Sequence, residues 1–223
     1  MSKIIKIKKG LDINLQGKAE AKVTALPMAT SYAVSPLDFE GVVPKLLVKA
    51  GEQVKAGDAL FFSKNDSRVL FTSPVSGTVT AVNRGEKRKV LNVTVQPDAT
   101  QSYKEFDVPA IEKASKEDAT KLLLEAGLWP LIIQRPYGII ANPDDQPKAI
   151  FVSGFDSAPL AADYDVVLAN DKANLQEGFD VLARLTSGKV HLSLNAKAEN
   201  KVFEGLKGVE VHEFAGPHPA GNV

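Results

Sequence analysis

Residues 1–98 carry short runs in which apolar and polar side chains alternate, the period of half-buried β-strands, with no helical spacing of apolar positions. Met1-Ser2-Lys3-Ile4-Ile5-Lys6-Ile7-Lys8 alternates apolar and basic residues and predicts a first strand. Leu46-Leu47-Val48, Ala59-Leu60-Phe61-Phe62, Val69-Leu70-Phe71 and Val90-Leu91-Asn92-Val93-Thr94-Val95 predict further strands, with Gly51, Gly57, Gly77 and Gly85 as turn punctuation. A quasi-repeat runs through this half. Gly41-x-Val43 precedes Val48-x-x-Gly51-Glu52, and Gly77-x-Val79 precedes Val82-x-x-Gly85-Glu86. Two copies of a strand, a turn and a Gly-Glu pair predict a β-sandwich whose halves pack face to face.

The period changes near residue 115. Ser115 followed by Lys116-Glu117-Asp118 reads as a capped helix start, and Gly127 as its stop. Pro130, Pro136, Pro143 and Pro147 then predict an irregular connector over 129–148. Beyond it the rhythm is that of a parallel α/β sheet. Strands are expected at Ala149-Ile150-Phe151-Val152, Asp165-Val166-Val167-Leu168-Ala169, Lys189-Val190-His191-Leu192-Ser193-Leu194 and Val209-Glu210-Val211. A helix is expected over 174–186, with Leu175, Phe179, Leu182 and Leu185 on one face, and a short one over 198–205. The last residues, 216–223, read as loop. The fold class expected is therefore α+β and multidomain. A β domain spans 1–98, a helix and Pro-rich connector 99–148, and an incomplete Rossmann-like α/β domain 149–223.

Composition narrows the chemistry. The chain has 223 residues, 44% hydrophobic and 24% charged, so a real core is expected. Its 27 basic and 27 acidic side chains cancel, which argues against a nucleic-acid partner. The densest charge cluster, Arg84-Gly85-Glu86-Lys87-Arg88-Lys89, reads as a solvated turn. With no cysteine, disulfides, cysteinyl iron–sulfur ligation and thiol catalysis are excluded. No stretch approaches the ~20 apolar residues of a membrane span, and the N-terminus lacks the apolar run of a signal peptide.

Pro44-Lys45-Leu46-Leu47-Val48-Lys49-Ala50-Gly51-Glu52-Gln53-Val54-Lys55-Ala56-Gly57-Asp58-Ala59-Leu60 and Ser73-Pro74-Val75-Ser76-Gly77-Thr78-Val79 resemble the two halves of a biotinyl/lipoyl domain. The resemblance implies a lipoyl-like barrel-sandwich fold. Counting back from Ser73, the family's modified lysine falls on Asp66, which cannot form the amide link, while Lys64 stands two residues away. No covalently bound cofactor is expected.

Further ordered blocks extend the resemblance. They are Ile7-Lys8-Lys9-Gly10-Leu11-Asp12-Ile13, Asn83-Arg84-Gly85-Glu86-Lys87-Arg88, Gly127-Leu128-Trp129 with Arg135-Pro136-Tyr137, Ile150 through Asp163, Leu185-Thr186-Ser187-Gly188-Lys189-Val190, and Gly216-Pro217-His218-Pro219-Ala220-Gly221. Together they resemble the A-subunit family of the bacterial sodium-translocating NADH:quinone oxidoreductases, as its N-terminal half. The resemblance implies a peripheral subunit on the cytoplasmic side of the bacterial inner membrane, not catalytic alone. Its partners would be membrane-embedded and other subunits, with flavins and Fe–S centres only in those partners and ubiquinone at the level of the complex. Two other readings stay open. One is a carrier-type biotinyl/lipoyl protein; the other is the C subunit of a ferredoxin:NAD electron-transport complex.

Candidate site residues follow from what a quinone needs: a flat apolar slot and rigid donors for two carbonyl oxygens. Pro217 and Pro219 bracket His218, so its imidazole is presented rigidly, as a functional donor or as part of a structural turn. Phe214 adds an aromatic. Trp129 and Tyr137 bracket Arg135, either as an aromatic wall with a cation or as an anchor for the connector. Phe39 and Gly41 would supply a further wall. His191 reads as a strand residue and His212 as an exposed strand end, neither with metal-ligand spacing, so no metal site is expected. Ser153-Gly154-Phe155-Asp156-Ser157-Ala158-Pro159 occupies the place of a dinucleotide phosphate loop. It has one glycine where three are usual, so a plain turn is expected, with Asp156 and Asp163 as turn or cap residues.

Overall fold

The computed structural model describes residues 4–108 and 113–221. The chain divides into two units: Pro27–Asp145, and Met1–Leu26 together with Gln146–Val223.

Unit Pro27–Asp145 contains two antiparallel sheets. One has three strands, β3 (Pro44–Leu46), β5 (Ala59–Ser63) and β6 (Asp66–Thr72), in the order β3-β5-β6. The other has four, β2 (Tyr32–Val34), β8 (Val90–Pro97), β7 (Gly77–Arg84) and β4 (Gln53–Val54), in the order β2-β8-β7-β4. Alternation does the sorting: Val79, Val93 and Val95 have no exposed surface, while Thr80 and Gln96 face out. Leu60 and Phe61 are consecutive and both fully buried. A register shift between Ala59 and Phe61 in the pairing with β6 breaks the alternation there. Phe61 stacks on Phe71 at 4.7 Å, and Phe39 meets the Phe71 ring edge-on at 4.7 Å. The copies of the quasi-repeat start β3 and β7, which lie in different sheets.

Helix α1 (Lys116–Glu125) starts where sequence predicts it. The Ser115 hydroxyl accepts the Asp118 N–H, and the Asp118 carboxylate accepts the Ser115 N–H, closing a capping box. It ends at Gly127, whose φ of +70° favours glycine. There the Leu128 N–H reaches the Leu123 carbonyl and the Gly127 N–H that of Leu124, a Schellman pair. The expected irregular connector is more ordered than its prolines imply. Trp129–Leu131 forms a 3-10 turn, and β9 (Ile133–Gln134) and β10 (Ile139–Ile140) pair as a small hairpin.

The other unit is a four-stranded parallel sheet ordered β1-β13-β12-β11. It comprises β1 (Ile5–Lys6), β11 (Ala149–Ser153), β12 (Lys189–Asn195) and β13 (Val209–Ala215). The N-terminal strand therefore pairs in this sheet, with Ile5 beside Phe214. Residues 1–3 of that predicted strand, and 222–223 of the terminal loop, lie outside the described residues. Helix α3 (Lys172–Leu185) lays Phe179 and its neighbours on Val190, Leu192 and Leu194. The strand expected at 165–169 is instead a short helix, α2 (Tyr164–Val167). The four-residue apolar run Val166-Val167-Leu168-Ala169 does not distinguish the two states. The Asp163 side chain decides it by accepting the Asp165 N–H, and the Asp165 carboxylate accepts the N–H of Val202.

Candidate functional site

The C-terminal ends of parallel strands are where open α/β sheets hold ligands. Here three segments converge on those ends. The chain leaving β13 turns through Gly216–Gly221, the loop leaving β11 runs from Gly154, and the residues after β1 pass alongside. The His218 N–H donates to the Asp12 carboxylate at 2.8 Å, across 206 residues of chain, and the His218 carbonyl accepts the Leu11 N–H at 3.0 Å. The His218 Nδ1 lies 2.9 Å from the Ser157 hydroxyl. Backbone and ring are thus both fixed, and the ring is half-buried with Nε2 uncommitted to Ser157. Gly10 makes the crossing possible: its φ is +151°, and a Cβ there would stand 2.1 Å from the His218 carbonyl oxygen. Phe214 ends β13 half-buried beside Ile5, and the Pro217 carbonyl accepts the Ala220 N–H in the turn.

The loop after β11 is a turn. Gly154 is buried, its N–H bonded to the Ser193 carbonyl, and a Cβ would press Leu194 at 2.7 Å. Ser153 donates to the Phe155 carbonyl, the Asp156 carboxylate accepts the Ala158 N–H, and the first helix after it has four residues. The glycine-lined cradle opening a long helix that a pyrophosphate requires is not built here.

In the β unit the candidates divide. Trp129 is 4% exposed, and its indole N–H donates to the Ala141 carbonyl at 2.7 Å, so it anchors the β9–β10 hairpin. Arg135 and Tyr137 stand at the tip of that hairpin, Tyr137 70% exposed. Phe39 is half-buried against Phe71, and the Gly41 carbonyl accepts from the Asn65 amide.

The β5–β6 hairpin shows what stands at the carrier position. Ser63 pairs with Asp66, so Lys64 and Asn65 are the turn residues and Asp66 opens β6. Arg68 grips Asp66 at 2.6 Å and Asp144 at 2.8 Å, and these hydrogen bonds hold both carboxyls below the usual carboxylate range. Counting from the second sequence block thus marked a structural acid, while the exposed Lys64 takes the turn.

One grouping was not legible beforehand. Register places His191 opposite Glu210 and Ser193 opposite His212, bringing His191 Nδ1 to 2.8 Å from His212 Nε2. The signal available was Glu210-x-His212, two residues on one face of a strand; the missing part was which strand lies beside it.

These features define a chain made of a barrel-sandwich β domain and a small parallel α/β domain. Residues 5–98 match the family described as the NqrA N-terminal barrel-sandwich hybrid domain, and 114–223 match the NqrA second alpha/beta domain; the chain belongs to the NqrA family. It is similar to proteins named as the A subunit of Na(+)-translocating NADH-quinone reductase. The one from Photorhabdus laumondii is 38% identical over 98% of this chain and 49% of the relative. That from Yersinia pseudotuberculosis is 37% identical over 99% and 49%, and that from Neisseria gonorrhoeae 37% over 98% and 49%. The chain spans about half the length of the curated relatives it matches.

Proposed function

We propose that the protein serves as a peripheral subunit of a sodium-translocating NADH:quinone reductase and contributes one side of a quinone site where it meets a membrane subunit. The observation that carries this reading is the His218 ring, held by Ser157 and backed by a doubly bonded backbone at the strand ends. A quinone presents two carbonyl oxygens that gain charge on reduction, and a donor that need not reorganise stabilises them best. Phe214 and Pro217 supply apolar surface next to that donor. In the β unit, taken by itself, the exposed Arg135–Tyr137 tip is a separate candidate surface with a cation and a ring, and Phe39 and Gly41 are further candidates of that unit. Trp129 supports the hairpin from behind. No helix among the described residues is long and apolar enough to cross a membrane. In this reading membrane-embedded partners hold the isoprenoid tail and carry flavins, iron–sulfur centres and the Na⁺ path. The cytoplasmic face of the bacterial inner membrane is the setting this implies.

In the assembled complex, His218→Ala should lower quinone reduction at least ~10-fold, the loss of one preorganised donor. NADH oxidation by artificial acceptors should persist. Equal quinone turnover in the variant sinks the assignment. Absence of a covalent arm is part of the same reading, and intact mass after expression with biotinyl and lipoyl ligases checks it; an increment on Lys64 overturns it.

A further inference from the structure

The face of the parallel sheet turned away from α3 carries Phe151, His191, Glu210 and His212. Among the described residues, one potential ligand atom from each of His191, Glu210 and His212 lies within 4.8 Å of the others. The two imidazole nitrogens are 2.8 Å apart, and Glu210 Oε1 is 3.8 Å from His212 Nε2. A tetrahedral ion with bonds of ~2.0–2.1 Å needs ligand atoms ~3.3 Å apart. The observed separations bracket that value, so small torsions at half-exposed side chains convert the cluster into a three-sided cup.

We propose that His191 Nδ1, His212 Nε2 and a Glu210 carboxylate oxygen form a binding site for a borderline divalent transition-metal ion of the Zn²⁺ class, with a further position open to water. Two imidazoles and one carboxylate favour Zn²⁺, Co²⁺, Ni²⁺ or Cu²⁺ over Mg²⁺ and Ca²⁺, which want oxygen alone. The backbone under the ligands is rigid, because β12 and β13 pair without interruption from Val190 to Asn195. The orienting shell is also present. Phe151 stacks on the His191 ring at 4.8 Å and 16°, fixing its plane. Lys189 holds Glu210 Oε2 at 2.6 Å and so leaves Oε1 toward His212. Two features oppose the ion. The His191–His212 hydrogen bond must open, and the Lys189 ammonium adds a positive charge nearby. Affinity is therefore modest, on the order of micromolar.

Chelator-treated, untagged protein titrated with ZnCl₂ in a calorimeter should bind one equivalent saturably. His191→Ala and His212→Ala should each weaken binding at least ~10-fold, with Glu210→Gln weakening it less. Thermal melting in the absence of metal shows whether each variant folds. Zn²⁺ titration of the unsubstituted protein, read by imidazole ¹⁵N shifts, needs no variant: His191 and His212 should move while His218 stays. No saturable binding, equal binding by folded His191→Ala, or shifts confined to His218 overturns the proposal and leaves a hydrogen-bonded imidazole pair.

Discussion

The two units solve the same problem by opposite means. Pro27–Asp145 is a continuous stretch of chain whose two sheets bury each other: Leu60, Phe61, Val79, Val93 and Val95 are fully withdrawn from water. The α/β unit is discontinuous, and its sheet is covered mainly on one side. Leu192 on the α3 face is fully buried, whereas Phe151 on the other face is 60% exposed. The β unit spends its side chains on its own core. The α/β unit leaves a sheet face and the loops at its strand ends partly in contact with solvent, and His191, His212 and His218 lie there.

The sharpest break of this contrast comes from the cores. Phe61→Ala should cost about 3–5 kcal/mol and Leu192→Ala about 2–5 kcal/mol. Calorimetry should show each substitution lowering the transition of its own unit and sparing the other. A single transition lowered equally by both would show that the units are not separate cooperative bodies.

Gly10→Ala tests the dependence of the α/β unit on the chain's far end. A Cβ would collide with the His218 carbonyl at a φ disfavoured for alanine, a strain of about 1–3 kcal/mol. Hydrogen exchange should rise at Leu11 and at His218, whose amides span the crossing, and remain unchanged in β7 and β8. Protection retained at Leu11 would mean that the crossing tolerates a side chain.

The smallest effect belongs to the β unit's surface clasp. Arg68 depresses the Asp66 and Asp144 pKa values, so its contribution is present when both carboxyls are ionised and is lost as pH falls through their folded values. The stability difference between the protein and Arg68→Ala should be constant above about pH 5 and shrink below about pH 4. A difference that grows with acidification contradicts the clasp.

Local signals suffice where a short stretch of chain decides the outcome. The Ser115 cap, the Gly127 stop and the apolar spacing Leu175-Phe179-Leu182 each specify a helix from its own residues, and α1 and α3 form there. Alternation or a short apolar run likewise placed β5, β6, β8, β11 and β12. Residues 165–169 differ for the complementary reason: an apolar run of that length suits either state, and distant Val202 helps to hold the helix. The barrel-sandwich resemblance located the β5–β6 hairpin but not which residue takes its turn, because a count along the chain cannot see a register shift.

By itself, then, the sequence determined the strand-rich first half, the two principal helices, the absence of thiol chemistry and the presence of a proline-framed His218. Those properties depend on composition and on neighbours within a few residues. Only the tertiary structure decided that β1 pairs with β13, that Asp12 and Ser157 hold His218, that Trp129 is spent as an anchor, and that His191 meets His212. The strand pairing and the imidazole contact depend on which strand lies beside which and in what register, and the hold on His218 on the loops those strands bring together. Adjacency in a parallel sheet is settled by burial of the whole face and by loop closure over long chain separations, quantities that no local pattern encodes.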